Sequence, residues 1–348
     1  MQLEVTFDSA KNRIDDAMRA LFARRKQDAS ELGATYVRFW DTIESVSMIG
    51  GKRLRPYLTM VAYGKIDERI IPVALAQELI HIAMLMHDDV IDQDFVRHGS
   101  ANVNGLYRDR YESYLDRRKA THYANSAGVL TGDALIAEAY QSVATGDFDA
   151  DTIRRVTSVL STSLFEVIGG ELLDVEAAFV DDERFDPLQI YRYKTSSYSF
   201  IGPIVTGAYC SGADEETLVS YRTFAENAGI AFQIQDDLLG IYGNSDETGK
   251  STLTDLREAK RTLLVSYHEE LMDDQQRERF AAFGDVGSTD EQLAVLKQDM
   301  VDSGAQQKTL DAVELYFGRA SESLARLPDG PQKVLFAEFL EKLKGRKK

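Results

Sequence analysis

Apolar positions recur with helical spacing from Ala10 to Leu343, and strand-like alternation between hairpin turns is not evident. Breaks are expected near Gly50-Gly51, Gly99 to Gly105, Gly146-Asp147, Asp181 to Pro187, Ser211-Gly212, Gly243 to Gly249 and Asp285 to Asp290. They cut the chain into roughly ten or more helices, the longer ones at or above the usual globular length of about 11–12 residues. No linker, short-period repeat or low-complexity segment interrupts the series. The pattern predicts an all-α protein, a single large helical bundle formed by residues 1–348.

One segment departs from ordinary amphipathicity. From Ile70 to Val90 the residues are almost continuously apolar, with Val73, Leu75, Leu79, Ile80, Ile82, Met84, Leu85 and Met86 leaving hardly a polar face. Such a helix belongs in a core. Its far end nevertheless carries Asp88, Asp89, Asp92 and Asp94, carboxylates that lose solvation, repel one another and sit near the negative end of the helix dipole. Fold stability gives no reason for this, whereas a bound cation does. Asp88 and Asp92, four apart, share a helix face, and oxygen-only ligands suit a hard ion, magnesium above all, which takes phosphate oxygens as well. Phe232 to Gly240 repeats the device, with Asp236-Asp237 near the end of a second long apolar helix that stops at Gly243-Asn244. Two such ends suggest opposing walls of a metal site bridged by substrate phosphates.

Composition sharpens this reading. Of 348 residues, 44% are hydrophobic and 28% charged, globular values that argue against overall disorder. A formal net charge of −17 disfavours nucleic acid and anionic membranes as partners, so phosphate binding must rest on a few placed cations and metal ions. Gly50-Gly51-Lys52-Arg53-Leu54-Arg55-Pro56 supplies such cations: glycines for close backbone approach, Arg to fork phosphate oxygens and Lys as a point charge. It is not a Walker loop, which needs wider glycine spacing and Lys followed by Ser or Thr. The lone Cys210, after Gly207-Ala208 and beside Tyr209, reads as a small core residue rather than a catalytic thiol, and suits a reducing cytoplasm. The start of the chain lacks the pattern of a signal peptide, and no run of about 18 uninterrupted apolar residues predicts a membrane span. A soluble cytoplasmic protein is expected. The charged run Arg108 to Lys119 reads as a solvated surface helix or a lid, and Lys342 to Lys348 as a frayed basic tail or a cover over a diphosphate.

Taken together, these pieces resemble the trans-isoprenyl diphosphate synthases of the polyprenyl synthetase family, from about Ile43 to Thr262, most closely the bacterial geranylgeranyl type. Gly50 to Pro56 is similar to the family's GGKRxRP signature, Asp88 to Asp92 to its DDxxD, Lys194-Thr195 to its KT pair and Phe232 to Asp237 to its FQxxDD. Gly249-Lys250 and Asp255 to Thr262 resemble the GK and DLxExKxT segments that follow. The resemblance implies helices around a central cavity and a homodimer. It implies that Asp88, Asp92 and Asp236 ligate magnesium, three ions per site with manganese as a substitute, while Asp89 and Asp237 orient ligands or metal-bound water. Arg97, Lys194 and Lys250 would hold an allylic diphosphate, with Lys260 adding charge. Lys52, Arg55 and His81 would hold isopentenyl diphosphate, and Thr195 and Gln233 would turn oxygens toward the allylic cation. An allylic C–O bond would break as the diphosphate departs. The double bond of isopentenyl diphosphate would then attack, and proton loss would restore an alkene.

Two positions depart from the family pattern. His98 stands where a second Arg is usual; it can donate a hydrogen bond to the homoallylic diphosphate but lacks a fixed charge at neutral pH. Gly240 replaces the third acid of the second motif, leaving that contact to water, Asp237 or Asn244. The residues five and four before Asp88 are Ala83 and Met84, where farnesyl-type members carry aromatics, which favours a product longer than C15. Geranylgeranyl diphosphate ranks first, longer chains second and farnesyl third, with Leu135 or Tyr140 as an alternative channel floor. A terpene cyclase has no reason to keep Lys52, Arg55 and His81. A non-catalytic subunit of a heteromeric synthase stays open because of Gly240 and His98.

Overall fold

The computed structural model describes residues 5–97, 99–180, 186–243, 253–257, 259–285 and 287–345. The expected all-α class holds. Nearly every described element is a helix, apart from an antiparallel pair of two-residue strands, β1 (Val96–Arg97) and β2 (Ser100–Ala101). The chain forms two compact units, one of Met1–Leu160 with Pro203–Ala213, the other of Ser161–Gly202 with Asp214–Lys348.

The first unit contains α1 (Phe7–Ser30), α2 (Ala34–Ser47), α3 (Leu54–Tyr63), α4 (Ile71–Ile91), α5 (Val103–Tyr111) and α6 (Arg117–Ala144). Local chemistry sets several of their ends. Thr6 and Ser9 form a reciprocal cap on α1, Asn102 caps α5 through the Gly105 amide, and Asp116 caps α6 through the Lys119 amide. As its composition predicts, α4 is buried almost all round, with Val73, Ala74, Leu75, Ala76, Leu79, Ile80, Ile82 and Ala83 in the core. It packs on α1, α3, α5 and α6. Contact with α6 is close because Gly132 leaves room for the His87 ring, whose Nε2 would lie 2.0 Å from a Cβ there. The break foreseen at Gly99 to Gly105 is narrower than expected. Gly105 lies inside α5, and its lack of a side chain admits the Phe95 carbonyl oxygen, which a Cβ there would meet at 2.2 Å.

Next come α7 (Ala150–Phe179), α8 (Pro187–Ile190), a π-helix (Tyr191–Ile201), α9 (Gly202–Ser211) and α10 (Glu215–Tyr242). In the second unit α10 packs on the π-helix and on the Ala305–Ala325 helix. Its end at Tyr242, followed by Gly243, matches the predicted stop. Among the described residues α7 is the one helix long and apolar enough, by length and composition alone, to cross a membrane. Spaced charges such as Glu166, Glu171 and Asp174 prevent any uninterrupted apolar run while leaving the helix apolar overall. Cys210, near the end of α9, is half-buried, and burial pushes its thiol up to about 12, so it is inert at neutral pH, as its surroundings predict. The charged run from Arg108 spans the end of α5 and the start of α6. The last tail residues, 346–348, lie outside the described residues.

Candidate active site

The two acidic motifs fall in different units and are described in turn. At the end of α4, Asp88 is half-buried and Asp92 exposed on the same face, while Asp89 turns inward and is only 1% exposed. The short hairpin, turning through Gly99 at φ +74°, brings Arg97 back over the helix end. Its Nε donates to Asp89 Oδ1 at 2.7 Å and one Nη to Asp88 Oδ2 at 2.9 Å. Burial raises the pKa of Asp89, Arg97 opposes the rise, and the charges of Asp88 and Asp94 add to it. Burial also works against the Arg97 charge, but hydrogen bonding to Asp89 and the charges of both acids outweigh it, so its pKa is raised. Asp89 Oδ2 is buried and has no hydrogen-bond partner among the described residues. It is available to accept from a water.

In the second unit the pattern recurs on α10. Asp236 is exposed and Asp237 is 3% exposed. Three donors converge on Asp237: the Tyr191 hydroxyl at 2.5 Å, Gln233 Nε2 at 2.9 Å and Lys260 Nζ at 3.2 Å. The Tyr191 hydroxyl accepts in turn from the Leu263 amide at 2.8 Å. Burial, with the Asp237 charge beside it, holds the Tyr191 phenol well above its ordinary pKa, so it stays a donor. The Thr195 hydroxyl donates to Gln233 Oε1 at 2.7 Å. Gln233 therefore presents its amide nitrogen to the carboxylate and its oxygen to Thr195, the orientation the acceptor-only carboxylate requires.

Lys194 and Thr195 sit on the π-helix Tyr191–Ile201, whose wider turn changes the direction of successive side chains. Lys194 Nζ donates to Glu171 Oε1 at 3.1 Å and to Asp174 Oδ2 at 2.5 Å, both on α7. Gly170 makes this approach possible, since a Cβ there would lie 2.4 Å from the Lys194 amide nitrogen. Glu171, Asp174 and Tyr191 are site residues that motif reading missed. A glycine pair followed by two acids three apart within an apolar helix was the available signal for the first two.

The basic loop lies in the first unit. Gly50 and Gly51 adopt φ of +66° and +93°, conformations that favour glycine. Lys52 is exposed just before the N-cap of α3, and Arg55 is half-buried in its first turn, where the helix N-terminus adds positive potential. His81 is half-buried on α4, against which α3 packs. Arg53 is buried and serves no surface role. Ala83 is fully buried and Met84 half-buried on α4, while Leu135 is buried and Tyr140 half-buried on α6. Lys250, His98 and Asn244 lie outside the described residues.

Among the described residues no group of three carboxylates, imidazoles or thiolates is placed to hold a metal ion. Magnesium commonly binds through one or two carboxylates, retained waters and substrate phosphates. Each motif offers outward Asp oxygens of this kind beside a buried, hydrogen-bonded Asp.

Comparison with known proteins identifies the family. The family model described as Polyprenyl synthetase matches residues 38–300. The geranylfarnesyl diphosphate synthase of Aeropyrum pernix is 32% identical over 304 residues, which cover 84% of this chain and 89% of that protein. The geranylgeranyl diphosphate synthase of Sulfolobus acidocaldarius is 30% identical over 302 residues, covering 83% and 86%. The crystal structure of geranylgeranyl pyrophosphate synthase from Corynebacterium glutamicum, complexed with isoprenyl diphosphate and magnesium, has the same fold, with a TM-score of 0.89 across 98% of this chain and 100% of that one at 24% identity. The chain belongs to the polyprenyl synthetase family and is a trans-prenyltransferase.

Proposed function

We propose that this protein condenses isopentenyl diphosphate with an allylic diphosphate and that its main product is geranylgeranyl diphosphate. The observation that carries the reading is the repeated acidic helix end, with an outward Asp beside a buried one held in place by cations and hydrogen bonds. Asp88 and Asp92 form one set of magnesium ligands and Asp236 another; Asp89 and Asp237 hold their neighbours in position. Bound magnesium supplies positive charge against the departing diphosphate. Arg97, Lys194 and Lys260 are the fixed cations assigned to stabilise the departing diphosphate, with Lys250, outside the described residues, assigned the same role from its motif, a case of electrostatic preorganisation. Thr195, whose hydroxyl proton is committed to Gln233, offers oxygen lone pairs to the developing allylic cation. Lys52, Arg55 and His81 hold isopentenyl diphosphate, whose double bond attacks the allylic cation once the C–O bond has broken and so forms the new C–C bond. A proton then passes from the adjacent carbon to the released diphosphate, and an alkene results.

Ala83 and Met84 bring no ring to α4, and the relatives above include named C20 and C25 synthases, which supports a C20 product with longer chains as the second reading. The test is incubation of purified protein with labelled isopentenyl diphosphate, geranyl diphosphate and magnesium, followed by product chromatography. One diphosphate released per C5 unit and a C20 main product are expected. Equal yield with excess EDTA would remove the metal from the mechanism. Absence of turnover would favour the non-catalytic subunit.

The active form is a homodimer. Phe165, Ile168 and Leu172 on α7 are 81%, 59% and 66% exposed and lie on one face at i, i+3 and i+7, a continuous apolar stripe of the kind that marks an interaction surface. Light scattering at micromolar concentration should give a mass near twice the 39.0 kDa of one chain. Phe165→Asp should shift it to the monomer, and a wild-type monomer would refute the assembly.

A further inference from the structure

We propose that Arg53 is a positioning residue for isopentenyl diphosphate, an inference that rests on the assignment of Lys52 and Arg55 to that substrate. Of the three cations in the basic loop, Arg53 alone turns inward and is 4% exposed. Its guanidinium is engaged on all three nitrogens. Nε donates to Asp15 Oδ1 at 2.9 Å, Nη1 to Glu78 Oε1 at 2.9 Å and Nη2 to the Ser47 carbonyl oxygen at 3.0 Å. These partners come from α1, α4 and the last residue of α2, and Arg53 itself is the N-cap of α3. One side chain therefore joins four helices within the basic loop, at the point where α3 begins.

The backbone shows what the clamp holds. Arg53 adopts φ +51°, a left-handed conformation uncommon for a residue with a Cβ. A side chain at Gly51 would meet Arg53 Nη1 at 3.3 Å, so the glycine leaves room for the buried guanidinium. With the Arg53 backbone held in this conformation, the directions in which Lys52 and Arg55 leave the chain on either side are constrained as well. Glu78 lies three residues before His81 on α4, so the same clamp ties the loop to the helix that carries the third proposed ligand. Asp15 also pairs with Lys11, and its pKa is lowered: burial opposes ionisation, but hydrogen bonds from Lys11 and Arg53 outweigh it. A buried cation surrounded in this way cannot reach a phosphate. Its contribution is to the geometry of those that do.

The test separates positioning from bulk stability. Arg53→Gln should raise the KM for isopentenyl diphosphate by about tenfold or more while leaving the KM for the allylic diphosphate, and kcat at saturating isopentenyl diphosphate, within about twofold. Should Arg53→Gln not fold, Asp15→Asn leaves Glu78 and Ser47 on the guanidinium and should show the same selective rise at about threefold. Calorimetric titration with isopentenyl diphosphate alone should weaken in step. A lowered melting temperature with both KM values unchanged, or an equal rise in both, would overturn the inference and leave Arg53 as a core ion pair. Failure of the wild type to bind isopentenyl diphosphate would instead remove the assignment of Lys52 and Arg55 on which it rests.

Discussion

Asp88→Ala should lower kcat by about 10²–10³-fold or more, the usual loss when a group that stabilises developing charge is removed, while the protein stays folded. Asp88 is half-buried, and its departure leaves Arg97 paired with Asp89 through the 2.7 Å bond. It also removes a like charge that contributes to the raised pKa of Asp89. Stability should therefore change by no more than about 1 kcal/mol, the range of partly exposed ion pairs. Asp89→Ala should behave in the opposite way. It removes the buried partner of Arg97, which keeps the half-buried Asp88 at 2.9 Å, and should cost about 1.5–3 kcal/mol, the range for a hydrogen bond to a charged group. Turnover at saturating magnesium and thermal melts of both variants make the comparison. An Asp88→Ala protein that melts early would make Asp88 structural, and one that keeps wild-type turnover would remove it from the metal site.

Ala83→Phe should shorten the main product, with C15 expected, and leave activity on short allylic primers intact. Ala83 is fully buried on α4 and, more than one helical turn before Asp88, lies away from the diphosphate chemistry. On the proposed channel path a ring at this position adds bulk against a lengthening tail, and overpacking typically costs about 1–3 kcal/mol. That cost falls on the longer product rather than on ionisation. Product chain length and melting temperature measured on the same preparation separate a blocked channel from a damaged core. Unchanged chain length in a folded, active variant would move the floor to α6, where Leu135 is buried and Tyr140 half-buried, and would remove the main structural support for a C20 product.

Much of this was legible in the sequence because it depends on residues close together along the chain. Helical periodicity gave the all-α class, the apolar composition of Ile70 to Val90 gave the buried helix, and the Asp pairs at two helix ends gave the chemistry. Caps such as Asn102 and Asp116 act within three residues and could be placed from local pattern alone. What only the tertiary structure decided is which partners the inward members of each cluster meet. Asp237 is held by Tyr191 and Lys260, 46 and 23 positions away, and Lys194 meets Glu171 and Asp174 across 23 and 20. Arg53 reaches Asp15 across 38 and Glu78 across 25. The linear pattern separated Asp88 from Asp89 and Lys52 and Arg55 from Arg53 by spacing and motif, but it did not show what the inward members would meet. The direction of a charged side chain depends on whether the fold brings it a buried partner of opposite charge, because a buried charge without one is too costly to keep.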